Sequence, residues 1–220
     1  MKRTPEPELM IDPEQVLAYG RADFEEPHSN FIKLLHRCCP SPDQRKSVLD
    51  AGCGAGDITF RIAGALPGAV IDAVDGSGAM IDFAKKRLGE SPGPDERVRF
   101  FQSMIQDFWG EREYDLIISN SLLHHLKVPE VFWEMIKRLS SEGTYIFVMD
   151  LLRPQDVNEA KSLVELYSSS EPEILKRDFY NSLLSAFETD EIKEQLTGAD
   201  LSHLEVERVS DRHFIVYGEM

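Results

Sequence analysis

Short apolar runs alternate with longer helical stretches through the middle of this chain. The runs at Ser47–Asp50, Ala69–Asp75, Val98–Gln102, Tyr114–Ser119 and Gly143–Asp150 have the length and apolar character of buried strands. Between them, Asp57–Leu66, Met80–Leu88 and Pro129–Leu139 read as helices. The second carries its basic residues near the end, where the helix dipole favours them, and the third starts on a proline. The stretch "GESPGPDE" (89–96) reads as a loop. Strands alternating with helices at this spacing imply a parallel sheet covered by helices on both faces.

The flanks differ. Residues 1–12 are proline-rich and polar and read as loose. Asp12-Pro13-Glu14 is a helix start, predicting one helix from about Pro13 to Phe24 and a second from about Ser29 to Cys39. Residues 155–199 read as helices with no strand among them. Leu204–Val209 and His213–Gly218 are two further strands, and a link of so few residues demands an antiparallel pair. The expected fold is therefore α/β: a Rossmann-like, doubly wound seven-stranded sheet, mostly parallel with the last strand antiparallel.

Composition narrows the partners. The 220 residues are 42% hydrophobic and 29% charged, an ordinary globular balance, with a formal net charge of -15. Such an acidic surface repels phosphate backbones and anionic lipid, so neither nucleic acid nor membrane is an expected partner. The best apolar run, Tyr145–Leu152, is broken by Asp150 and is far too short to span a bilayer. No signal peptide is read at the start. Three cysteines, with Cys38 and Cys39 adjacent at a helix end, make no disulfide framework, so a reduced, cytoplasmic protein is expected.

The chemistry centres on "LDAGCGAGD", residues 49–57. A dinucleotide fingerprint would place its third glycine at residue 57, which is Asp57; the glycines fall instead at 52, 54 and 56. No Lys-Ser/Thr follows, so the loop is not a P-loop. Asp50 beneath the loop suits a cationic ligand rather than a pyrophosphate. Asp75 ends the second strand, 21 residues after Gly54, and a carboxylate there can accept from both hydroxyls of a ribose. An adenosine carrying a positive group satisfies both features, and S-adenosylmethionine fits.

"VLDAGCGAGD", "IDAVDGSGAMIDFAKKRL" and "YDLIISNSLLHHL", in this order and spacing, resemble the class I S-adenosylmethionine-dependent methyltransferases, in particular the small-molecule group similar to quinone-biosynthesis methyltransferases. The resemblance covers about residues 46–151 and extends to the terminal antiparallel strand. It implies that Asp50, Gly52 and Gly54, with Ala51 and Cys53, hold the methionine part of the cofactor. It also implies that Asp75, with Gly76, binds the ribose and that Met80 contacts the adenine. Asn120 and Ser121 match positions that contact the methionine part. The family often has an acid where Met104 stands; Met104 and the Ile105 backbone could still sandwich and pair the ring, with Asp107 as a substitute acid. In "AYGRADF", Tyr19 and Arg21 are candidate cofactor contacts, Arg21 through the carboxylate; a packing helix with a solvated arginine is the plainer alternative.

Ligands of open parallel sheets bind beyond the carboxyl ends of the strands. That edge collects His124, His125, Arg153, Asp211, Arg212 and His213. Methyl transfer is an in-line displacement that yields S-adenosylhomocysteine, and the protein mainly supplies alignment. A base is needed only for an acceptor that must lose a proton; His124 is the first candidate and His213 the second. The plainer alternative for the His124-His125 pair is that one packs in the helix and the other faces solvent. Arg153 could pair an acceptor carboxylate or phosphate, and Arg212 is counted with it. In "EPEILKRDFYNSLLSAF" the apolar spacing reads first as a packing helix and second as a substrate lid with Tyr180 in the pocket. Cys53 has no partners at ligand spacing and His203 and His213 have no neighbours to close a site, so no metal is expected.

The expected organisation is one domain: a helical cap (1–45), a cofactor-binding core (46–151), a helical insertion or lid (152–200) and a terminal strand pair (201–220). The expected activity is methyl transfer to a small-molecule acceptor. The alternatives are a protein methyltransferase and a non-catalytic S-adenosylmethionine-binding module. The acceptor atom and the oligomeric state are not readable from these residues.

Overall fold

The computed structural model describes residues 1–7, 9–90 and 96–220. Residues 91–95, the centre of the expected 89–96 loop, lie outside the described residues. Strands form at every apolar run: β1 (Ser47–Ala51), β2 (Val70–Asp75), β3 (Val98–Gln102), β4 (Leu116–Asn120), β5 (Tyr145–Leu151), β6 (Glu205–Arg208) and β7 (His213–Glu219). They make one sheet in the order β3-β2-β1-β4-β5-β7-β6. The first five pair in parallel, and β7 runs antiparallel to both β5 and β6. The order reverses after β1, so the loops beyond β1 and β4 part at the sheet's centre, where such folds place a ligand.

The helices are α1 (Pro13–Arg21), α2 (Glu25–Cys38), α3 (Asp57–Ala65), α4 (Gly78–Glu90), α5 (Glu130–Leu139), α6 (Val157–Ser168), α7 (Glu173–Ser185) and α8 (Thr189–Gly198). Side chains of a strand alternate between faces, and β5 shows the result. Ile146 and Val148 join a core with Trp133 and Phe132 of α5 and Ile192 of α8. Tyr145, Phe147 and Met149 join the opposite core with Phe31 of α2 and Ile62 of α3. A strand buried on both faces reads as a continuous apolar run, which is why β5 stood out in the sequence.

The largest boundary shifts are at the first two helices. The first helix stops at Arg21 rather than Phe24, and α2 starts four residues before Ser29. Ala22 is extended, and the Asp23 carboxylate accepts from the Glu25 N–H at 2.9 Å, starting the next helix early. Cys39 caps α2 and is buried, as its place in the pattern suggested.

The N-terminal segment read as loose is bound down. The Arg3 guanidinium donates to the carbonyls of Ser185 (2.6 Å), His124 (2.9 Å) and Leu126 (2.9 Å) and lies 4.0 Å from the centre of the Phe187 ring. The Thr4 N–H donates to Leu184 O at 2.9 Å. A polar, proline-containing segment has no periodic apolar signal; its anchors are backbone carbonyls of distant elements, invisible to local pattern.

Candidate active site

The loop after β1 is shaped by glycine for two separate reasons. Gly52 has φ +75°, and a Cβ built on it would stand 2.8 Å from Leu122 Cβ. Gly54 has φ +51° and meets no atom within 4 Å, so the space above it is open. Its N–H points the other way and donates to Asp75 Oδ2 at 2.9 Å, while the Ser77 N–H donates to Asp75 Oδ1 at 2.7 Å. One carboxylate thus ties together the loops that follow β1 and β2.

Asp50 lies beneath this loop and is 1% exposed. Thr59 Oγ1 donates to it at 2.6 Å. Burial pushes its carboxyl up to about 7; the Thr59 hydrogen bond opposes the shift and the nearby Asp75 adds to it. Asp75 is pushed up as well, by burial, against the pull of the Ser77 and Gly54 N–H groups. Among the described residues neither carboxylate has a salt bridge. A buried acid and a half-buried one beside it, neither with a salt bridge, are an electrostatic vacancy that a positively charged ligand relieves.

A cavity of about 870 Å³ opens over these loops. Of the expected cofactor set, Tyr19, Asp50, Gly52, Cys53, Gly54, Asp75, Gly76, Met80, Met104, Ile105, Asn120 and Ser121 line it. Gly76 sits in a narrow apolar slot: a Cβ there would stand 2.8 Å from both Leu9 Cδ2 and Met104 Sδ. Ser121, just past β4, holds φ +56°, a strained value for a residue with a side chain.

Some expected contacts lie elsewhere. Ala51 is buried in β1, its carbonyl accepting from Ser119 Oγ at 2.8 Å. Arg21 is exposed; two residues beyond Tyr19 it points about 200° round the helix, away from the cavity. Asp107 is also exposed, outside the cavity. Arg153 is 7% exposed and points into the protein, bonded to Glu188 (2.7 Å), Glu191 (3.0 Å) and Ala186 O (3.3 Å) rather than open to an acceptor anion. Tyr180 is half-buried outside the cavity; Leu175, Asp178, Phe179 and Ser182, at helical spacing, form the face of α7 that lines it.

His124, His125, Arg212 and His213 do line the cavity. Arg212 lies 3.3 Å over the Tyr167 ring and pairs with Asp211 and Glu26, each at 3.2 Å. Burial drives the His213 imidazole down to about 3, and the Arg212 charge helps, so His213 is neutral near pH 7 and a weak base.

His124 is better supported. Its Nδ1 lies 2.6 Å from Asp150 Oδ1. Asp150 also accepts the N–H groups of Leu123 and Leu151, each at 2.7 Å. Burial alone would raise the Asp150 carboxyl, but its interaction with His124 and these hydrogen bonds hold it below the ordinary carboxylate value. An ionised Asp150 fixes the Nδ1–H tautomer and leaves the Nε2 lone pair free. Sequence reasoning passed over Asp150 as a break in an apolar run; a charge within a strand otherwise buried on both faces was the available signal. It also missed Glu6, whose Oε1 is 3.6 Å from His124 Nε2 and 3.1 Å from His125 Nδ1. His28, buried and 2.6 Å from Asp57, is a third omission at the cavity wall.

A family profile described as a methyltransferase domain matches residues 49–146, from β1 into β5. Residues 49–146 thus match a methyltransferase domain. The domain is similar to the malonyl-(acyl-carrier protein) O-methyltransferase of Priestia megaterium, 34% identical over 106 residues, which are 48% of this chain and 37% of that protein. It is also similar to the trans-aconitate 2-methyltransferase of Mycobacterium tuberculosis, 32% identical over 123 residues, 55% of this chain and 40% of that protein. The matched region thus spans only about two fifths of these relatives. A solved S-adenosylmethionine-dependent methyltransferase from Aquifex aeolicus shares the fold, with a TM-score of 0.69 and 18% identity over 94% of this chain and 98% of that one. No helix among the described residues is long and apolar enough to cross a membrane.

Proposed function

We propose that this protein transfers the methyl group of S-adenosylmethionine to a small-molecule acceptor. The observation that carries the reading is a pair of carboxylates without salt bridges among the described residues, the buried Asp50 and the half-buried Asp75, under a glycine loop that opens into the cavity lined by His124. The residues fit the cofactor. Open space over Gly54 leaves room for its methionine part, Asp75 can accept from the ribose, and Met80, Met104 and Ile105 give the cavity an apolar stretch for the purine. The bound cofactor supplies a methyl carbon activated by the sulfonium.

The chain's own residues orient and enclose. The N-terminal segment and α7 cover the cavity, which supports a small acceptor over a protein side chain. For an acceptor that must shed a proton, His124 Nε2 is the accepting atom, and Asp150 holds the ring through its other nitrogen. The malonyl and aconitate relatives act on small carboxylate compounds or carrier-bound ones by their names, which supports the same acceptor class here.

Calorimetry tests the reading. S-adenosylmethionine and S-adenosylhomocysteine should bind, Asp75→Ala should weaken both, and methyl transfer across a panel of small acids, phenols and amines should release S-adenosylhomocysteine. Preferential binding of a nicotinamide dinucleotide would overturn the proposal. Tight binding with no turnover on any acceptor would point to a non-catalytic module.

A further inference from the structure

Glu6, His124 and His125 bring three ligand atoms together beside the cavity that the two histidines line. Glu6 Oε1, His124 Nε2 and His125 Nδ1 all lie within 4.8 Å of one another. The two nitrogens stand 3.6 and 3.1 Å from the carboxylate oxygen. Donors held about 2.1 Å from one ion are separated by about 3.0 Å in octahedral and about 3.4 Å in tetrahedral coordination. The shorter separation is close to the octahedral value and the longer one to the tetrahedral value.

Hydrogen bonding does not account for the cluster. His125 Nδ1 is buried and makes no well-directed hydrogen bond, although it stands 3.1 Å from Glu6 Oε1 as an ion-pair partner. A buried ring nitrogen left unpaired beside a carboxylate is costly unless something else binds both. The surroundings are also those of a ligand set. His124 is held from behind by Asp150 at 2.6 Å, the carboxylate–imidazole arrangement that orients a metal-binding histidine. Glu6 Oε1 is itself fixed by the Ser182 hydroxyl at 2.9 Å. The imidazole rings of the two consecutive histidines are 4.2 Å apart, so their free nitrogens serve one site.

We propose that Glu6, His124 and His125 form a site for one divalent transition-metal ion, with its remaining coordination positions open to the cavity. Two imidazoles and a carboxylate suit zinc, iron(II) or cobalt(II) rather than magnesium or calcium. An ion there selects acceptors that carry an oxygen or nitrogen donor, and it polarises that donor in place of the His124 base. The two uses of His124 Nε2 exclude each other in one molecule. The inference rests on the methyl-transfer reading only for which ligand the open positions face; the ion is measured without cofactor or acceptor.

The test uses full-length protein without a polyhistidine tag, stripped with a chelator and titrated with Co2+ as a visible-absorption probe. One equivalent should bind with a ligand-field spectrum and be displaced by Zn2+. His125→Ala and Glu6→Gln should each weaken Co2+ binding by about tenfold or more, and Asp150→Asn, which acts through His124, by about tenfold. Circular dichroism and S-adenosylhomocysteine binding by Glu6→Gln check that the fold survives. No stoichiometric Co2+ uptake, or unchanged uptake by Glu6→Gln and His125→Ala, overturns the proposal. Stoichiometric uptake by a wild type that binds no S-adenosylhomocysteine would sink the methyl-transfer reading and leave the ion site standing.

Discussion

Strand β2 carries two aspartates three residues apart that live in opposite electrostatic worlds. Asp72 is fully buried and completely paired: Arg99 grips both its oxygens at 2.9 Å, Arg112 lies at 3.2 Å and the Tyr114 hydroxyl donates at 2.9 Å. Asp75, at the strand's end, holds two backbone N–H groups and has no salt bridge among the described residues, and Asp50 across the sheet has only Thr59. A buried charge must be paired, be neutralised or wait for a ligand. Asp72 takes the first course and stabilises the sheet. Asp50 and Asp75 take the others, and the fold bears a cost that a cationic cofactor would remove.

Four substitutions can break or sharpen this contrast. The largest effect is expected from Asp75→Ala, which removes two charge-assisted hydrogen bonds to a ribose, each about 1.5–3 kcal/mol, and so weakens S-adenosylhomocysteine binding by about 100-fold or more. Calorimetry reads this, and unchanged affinity would place the ribose elsewhere. Asp72→Ala should do the reverse, costing about 2–3 kcal/mol of stability, less than a fully desolvated pair because Arg99 and Arg112 can turn to water. Chemical denaturation should show that loss while the folded variant keeps its cofactor affinity.

Asp50→Asn separates stability from binding by pH. The folded state holds the Asp50 carboxyl proton up to about 7, whereas the unfolded chain releases it near the ordinary value. The penalty is therefore absent at low pH, grows from about pH 4 upward and is complete above about 7. The variant should melt several degrees higher than wild type at pH 8 and no higher at pH 4, at about 2–4 °C per kcal/mol for a chain of this length. It should bind the cofactor more weakly at both. His213 gives the opposite slope. With its folded value at about 3, it binds protons better when unfolded, so stability is lost as pH falls from about 6.5 toward 3. His213→Asn should flatten the acid side of the melting curve; an unchanged slope would mean His213 is protonated in the fold.

The smallest effect is expected at Arg153. Its guanidinium is held by Glu188 and Glu191, so Arg153→Lys should lower the melting temperature slightly and leave the KM of any acceptor unchanged. A raised KM would return Arg153 to the acceptor site.

The strands and the glycine loop were legible because their signals are local. A run buried on both faces is apolar at every position, and alternating glycines declare their backbone. Arg153 and Tyr180 were misplaced for one shared reason. Knowing which edge of the sheet a residue reaches does not tell where its side chain turns, and on α7 a step of one residue, from Phe179 to Tyr180, is about 100°. Glu6 had no local signal. It reaches the histidines across 118 and 119 positions of chain by way of Arg3 and Thr4, whose partners are carbonyls from the Leu123–His125 turn, Leu126 and α7.

The sequence by itself determined the alternation of strands and helices and the reversed final strand, because each follows from periodicity or link length, and the glycine spacing of one loop marked Gly52 and Gly54, which line the cavity. Tertiary structure alone decided which buried carboxylates are paired and which are not. It placed Asp150 behind His124 and drew Glu6 onto the histidine pair. Those outcomes depend on distances between residues far apart in the chain, and hydrogen bonds and charges act over ångströms, not over positions in sequence.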